Sequence, residues 1–268
     1  MGRFVPDSRM VPVAFYSYET KRDGTMDDPA RDLQEDEDLI LFRDCFSVKY
    51  IQSAALFCRL GFAVESGYAR TGIVSADERL RHEAFILNAI FSSVAFLEST
   101  INELWSDAAD NAYFFPDEKN EALLRAVGEK WNNENYFDRT PLPVKYQKVL
   151  EIGNRPLFPE DDPVFSGIKD LIAIRNYLMH YRREWVTIQT SITPGTGAPA
   201  DRFEQHLRDR FRENPLAPTN LPFFPDRCLG HGCAEWAVTT SLSFTDRFFA
   251  ALDLPSSYEG IKMELRTR

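Results

Sequence analysis

Cysteine is scarce in this chain. There are four in 268 residues, and Cys45 and Cys58 both fall inside a helical pattern. That is too few and too scattered for a disulfide framework, so a reducing compartment is expected. The chain also lacks a basic excess: 31 Lys and Arg stand against 41 Asp and Glu, for a net charge of −10. Such a balance excludes broad, non-specific nucleic-acid binding but leaves room for a local basic pocket. Long hydrophobic runs are missing as well. The most apolar one, Ala84 to Leu97, is short and interrupted by Asn88, Ser92 and Ser93, so no membrane span and no membrane partner are expected. The opening MGRFVPDSRM has no apolar core followed by a small-residue cleavage site, which gives a cytoplasmic expectation. There is no Walker loop, no Gly-x-Ser-x-Gly elbow, no dinucleotide fingerprint and no internal repeat. No cofactor is expected.

What is present is charge asymmetry and helical periodicity. Residues 21 to 38 hold eight acids and three bases, half of the net charge, which reads as a solvated linker. Residues 1–38 are therefore set apart as an arm and acidic linker, with VPVAFYSY (11–18) as a short strand or extended arm. Residues 39–268 are expected to form one helical domain. A first amphipathic helix is predicted from Leu39 to about Val64, and a second from a Ser75/Glu78 capping box to about Trp105. The second is apolar nearly all round between Ala84 and Leu97, as a central helix would be. Further helices are predicted over Asp117 to Trp131, from Thr140-Pro141 to before Gly153, over Asp201 to Glu213, and from about Cys233 to Leu254. The last should dock on the bundle. WVTIQT (185–190) is strand-like and leads into a Gly/Pro loop. The fold class is all-α, a helical bundle with long decorated connections.

The stretch built for chemistry is Ile168 to Glu184, IKDLIAIRNYLMHYRRE. Asp161, Asp162 and Pro163 are a helix start, and Ile168, Leu171, Ile172, Leu178 and Met179 recur at helical spacing. At about 100° per residue Arg175 falls in the middle of that stripe, while Asn176 and His180 share a face at its edge. Imidazole can exchange a proton with an RNA hydroxyl near neutral pH, and a positioned guanidinium can hold a phosphate and stabilise its transition state. Arg175, Asn176 and His180 are thus the candidate catalytic residues, Asn176 orienting the phosphate or the imidazole. Arg182 and Arg183 can extend a phosphate-binding patch, or serve as dipole partners of a last helical turn. Glu98, Asn102 and Glu103 follow the apolar run of the second helix. Either they pair with Arg175 or they are solvated residues past the buried section.

Arg175, Asn176, three intervening residues and His180 resemble the Arg-x4-His signature of HEPN (higher eukaryotes and prokaryotes nucleotide-binding) domains. The resemblance is specific over about Ile168 to Arg183. It implies an all-helical, usually dimeric fold and a metal-independent endoribonuclease of the kind found in toxin–antitoxin, phage-defence and RNA-processing systems. An RNA substrate, a homodimer and an antitoxin or other regulatory protein are the implied partners. The alternative it leaves open is a non-catalytic HEPN-like module that binds a nucleotide, RNA or a protein. In members paired with a minimal nucleotidyltransferase antitoxin, a Tyr two residues after the His is the modified position; here Arg182 stands there, and Tyr181 is adjacent to His180.

Two further features need weighing. Cys228, His231 and Cys233 have zinc-compatible ligand types but no fourth ligand, and the other reading is a Gly-rich helix entry with buried thiols. No metal is assigned. His82 and His206 have no partner pattern and are expected at the surface.

Overall fold

The computed structural model describes residues 44–110, 118–133, 140–181 and 199–268. The arm and linker of residues 1–38 and the strand-like run at 185–190 lie outside them. The described residues hold helices and no strand, and those from Phe46 to Arg268 form one compact unit.

Helix α1 spans Phe46–Thr71 and α2 spans Ala76–Ala109. They form an antiparallel pair, because Ser47 at the start of α1 meets Glu103 near the end of α2, and Glu65 near the end of α1 meets His82 near the start of α2. The turn between them is set by the capping box: Ser75 Oγ accepts from the Glu78 backbone N–H at 3.2 Å, and the Glu78 carboxylate accepts from the Ser75 N–H at 2.8 Å. Those bonds satisfy two groups that a helix start leaves orphaned, and they hold the Glu78 carboxyl below its usual range.

α2 is the central helix, in contact with α1, α3 (Glu118–Asn133), α4 (Leu142–Ile152), α5 (Pro163–Met179) and α7 (His231–Leu252). By length and composition it could cross a membrane, but half of its most apolar window is buried in the bundle. Ile86, Ile90, Val94, Leu97 and Ile101 are sealed in the core, as are Ile51, Ala54 and Cys58 of α1. Each large aliphatic side chain so buried contributes about 1.5–3 kcal/mol of transfer free energy. Sequence breaks define α4, which Pro141 opens and Gly153 closes. Its Tyr146 is fully buried, donates to the Leu97 carbonyl at 2.7 Å and sets its ring edge-on to Phe244 and Phe248 of α7. Burial pushes that phenol well above its ordinary pKa.

α6 is shorter than its charged pattern suggested, Pro199–Leu207. Proline-rich chain then leads through one π-type turn, Phe223–Arg227, to α7. The last helix ends at Leu252 with Asp253 left-handed (φ 58°), and a 3-10 turn at Glu259–Glu264 follows it. Tyr258 of that final segment is buried against Phe96, and its hydroxyl meets Thr245 Oγ1 at 2.6 Å and donates to Asp246 at 2.8 Å. The chain after α7 is therefore stitched to the core.

Candidate functional site

α5 positions the candidate residues, and its start is heavily fixed. Asp162 is the N-cap, its Oδ1 accepting from the Val164 and Phe165 N–H groups at 3.0 and 2.9 Å. Arg247 of α7 donates to both carboxylate oxygens at 2.9 and 2.8 Å. The bidentate guanidinium, with the cap bonds behind it, pulls the Asp162 carboxyl down to about 2. Phe158, Phe165 and Phe244 pack together just beneath, with centroids 5.0–6.1 Å apart.

The far end differs from the sequence expectation in two ways. First, the helix stops at Met179, so His180 is its C-cap (φ −111°, ψ 28°), its N–H bonded to the Asn176 carbonyl at 2.9 Å. No Gly or Pro marks that stop. The end is instead anchored by Tyr177, whose ring sits edge-on to Tyr181, Phe203 and Phe224 at 5.0–5.8 Å. Second, the buried face is Phe165, Ile168, Leu171 and Ile174, whereas Ile172 and Leu178 are half-buried and Met179 is 58 % exposed. Arg175 therefore sits at the border of the core stripe, not in its middle.

Arg175 is 25 % exposed, and its nearest carboxylate is Glu98 of α2, N to O 3.6 Å. That is an ion pair longer than a hydrogen bond. Nε is buried and has no acceptor among the described residues, so the guanidinium keeps most of its donor capacity. Asn176 and His180 are exposed, and no side-chain partner of either is found among the described residues. Arg175 and His180 are five positions apart, about 140° round an ideal helix, so one straight helix would not turn both to one side. Arg182 and Arg183 lie outside the described residues.

Of Glu98, Asn102 and Glu103 on α2, only Glu98 meets Arg175. Asn102 Oδ1 accepts from Lys145 Nζ of α4 at 2.9 Å. Glu103 accepts from the Ser47 N–H and hydroxyl at 2.8 and 2.5 Å and ties α2 to the start of α1; burial pushes its carboxyl up despite those bonds. A cleft of about 400 Å3 opens beside the same end of α5, lined by Tyr177, Leu178 and Tyr181, by Arg79, Glu83 and Leu87 of α2, and by the proline-rich connection.

Cys228, His231 and Cys233 do not converge as ligands. His231 Nε2 faces the Thr267 carbonyl at 3.1 Å and its ring packs on Phe62 at 4.8 Å. Both thiols are fully buried, and a hydrogen bond between them, with burial, raises the Cys228 thiol well above its ordinary value. No group of three or more His, Cys, Asp or Glu among the described residues is placed to hold a metal ion. His82, expected at the surface, is 1 % exposed and bonded to Glu65 at 2.8 Å; His206 is at the surface, with Nδ1 3.1 Å from Asp170. The Glu65–His82–His231 junction had no signal in the sequence, since its members are 17 and 166 residues apart.

Compared with models of protein families, with curated proteins and with solved structures, the chain has no significant match.

Proposed function

We propose that the chain is a metal-independent endoribonuclease of HEPN type, working as a toxin or phage-defence effector. The observation that supports this most is Arg175: a partly buried guanidinium with one long ion pair and an unsatisfied Nε, beside exposed Asn176 and His180. A structural arginine would normally be saturated by its carboxylate, because a partly desolvated cation is costly when under-bonded. An incoming phosphate would complete its donor set and displace Glu98. His180, with no side-chain partner among the described residues, would move the proton between the 2′-hydroxyl and the leaving oxygen. Those two groups supply proton transfer and charge stabilisation without a metal ion.

The angular offset of Arg175 and His180 favours a composite site. If two chains pack the α5 ends about a twofold axis, Arg175 of one chain faces His180 of the other, and the exposed Met179 and Tyr181 become covered. A homodimer and an antitoxin-like regulator are accordingly the proposed partners. The same offset also suits the second reading, a HEPN-like module that binds nucleotide, RNA or protein through Arg175 without cutting. Purified chain incubated with total RNA and with tRNA in EDTA separates the two. Cleavage lost in His180→Ala is the expected result. Cleavage that needs added magnesium or manganese overturns the mechanism, and RNA binding without cleavage selects the second reading.

A further inference from the structure

A second cavity, about 500 Å3, lies between the end of α1, the chain at 210–215 and the start of α7, within the size range of small-ligand sites. We propose that it binds a small aromatic zwitterion, a planar ring carrying an amine and a carboxylate, as an aromatic amino acid does.

The cavity's walls are built, not incidental. A side chain at Gly230 would put its Cβ 2.7 Å from the Asn214 Cα, and one at Gly232 would run into the Arg212 backbone. The 210–215 segment can therefore lie on the helix start only because both positions are glycine. Aromatic surface lines two sides: Phe211 and Trp236 pack at 5.6 Å, and Phe62 packs against His231.

The polar groups are complementary to a zwitterion. Glu65 has a side chain only 10 % exposed. Its Oε1 accepts from His82 Nε2 at 2.8 Å and from the His231 backbone N–H at 2.6 Å, while Oε2 has no partner among the described residues. A carboxylate of a lining residue held so firmly, with one oxygen unbonded among the described residues, is an acceptor for an amine. Three guanidiniums face two carboxylates in the lining. Arg210 is engaged by Asp170 at 3.0 Å and by the His206 carbonyl at 2.7 Å, and Arg268 grips Glu235 at 2.9 and 2.6 Å. Arg212 has no carboxylate partner among the described residues and is exposed. With Asp170 counted, the charges around the cavity balance, and Arg212 and Glu65 are left as one cation and one anion for a ligand, which matches a zwitterion better than a doubly charged phosphate. Arg212 and Gly232 adjoin, so the ligand's carboxylate would also meet the positive end of α7. Its first N–H is taken by Glu65 and its fourth by the Gly230 carbonyl, and Gly232 between them lines the cavity.

The test is calorimetric titration of the full chain with L-tryptophan and L-phenylalanine, beside tryptamine, which lacks the carboxylate, and indole-3-propionate, which lacks the amine. Saturable one-site binding of the amino acids is expected, with each indole analogue weaker than L-tryptophan by about tenfold or more, the size of one lost charge-assisted contact. Arg212→Ala should weaken L-tryptophan about tenfold and leave tryptamine unchanged, whereas Arg81→Ala, whose ion pair is with Asp77, should change nothing. Glu65→Gln should weaken L-tryptophan and spare indole-3-propionate. If Glu65→Gln fails to fold because it anchors His231, the exposed Arg212 still decides the matter. Neither amino acid binding at millimolar concentration, equal binding of all the indoles, or indifference to Arg212→Ala overturns the proposal. None of these outcomes depends on RNA cleavage.

Discussion

The two ends of α5 are opposites. At its start, one carboxylate caps two backbone N–H groups, binds a guanidinium from α7 and stands over three packed phenylalanines. At its finish, an arginine keeps a donor unsatisfied, a histidine and an asparagine face solvent, and Met179 is more than half exposed. Tyr177 holds the far end in an aromatic cluster, so both ends are fixed, but only at the far one are polar groups left under-bonded beside the anchor. A rigid element is a better platform for such groups than a loop.

Breaking the anchored end should cost the most. Phe244→Ala, which empties the core under Phe158, Phe165 and Tyr146, is expected to destabilise by about 3–5 kcal/mol in chemical denaturation; a loss below about 1 kcal/mol would mean the cluster is not the anchor. Asp162→Ala removes the cap and the Arg247 pair together, for an expected loss of about 1–2 kcal/mol. That loss is pH-dependent. The Asp162 carboxyl lies near 2 in the folded chain against an ordinary 3.8, so its contribution is complete above the higher value and fades as pH falls through the lower. Wild type and Asp162→Ala should therefore converge in stability across that acid window, and a constant gap would show that the cap, not the charge, carries the effect. At the open end, Arg175→Met and His180→Ala should each shift stability by no more than about 0.5 kcal/mol. A large loss in either would make these residues structural and erase the contrast.

Some of this was legible in the sequence because the signals are local. Ser75 with Glu78 placed the start of α2, Pro141 and Gly153 bracketed α4, and Asp162-Pro163 opened α5. The stop at Met179 was not, since Tyr177 meets Phe203 and Phe224 only through the tertiary fold. Glu98, Asn102 and Glu103 stand together in the sequence after the apolar run of α2, yet Lys145 claims Asn102 and Ser47 claims Glu103, and only packed neighbours could divide them. The burial of His82 was hidden in the same way, because Glu65 lies on another helix. The cavity at the start of α7 joins segments 60 to 268, and nothing in a linear pattern couples Glu65 to Gly230 or Arg212.

The most direct test of the open end's purpose is the rate of tRNA cleavage in EDTA by wild type, Arg175→Met and His180→Ala, each first shown to unfold at the same denaturant concentration. Metal-free cleavage by the wild type, reduced at least about a hundredfold in both variants, is the predicted result, in line with the loss of one acid–base or charge-stabilising group. Equal cleavage by all three proteins would contradict it.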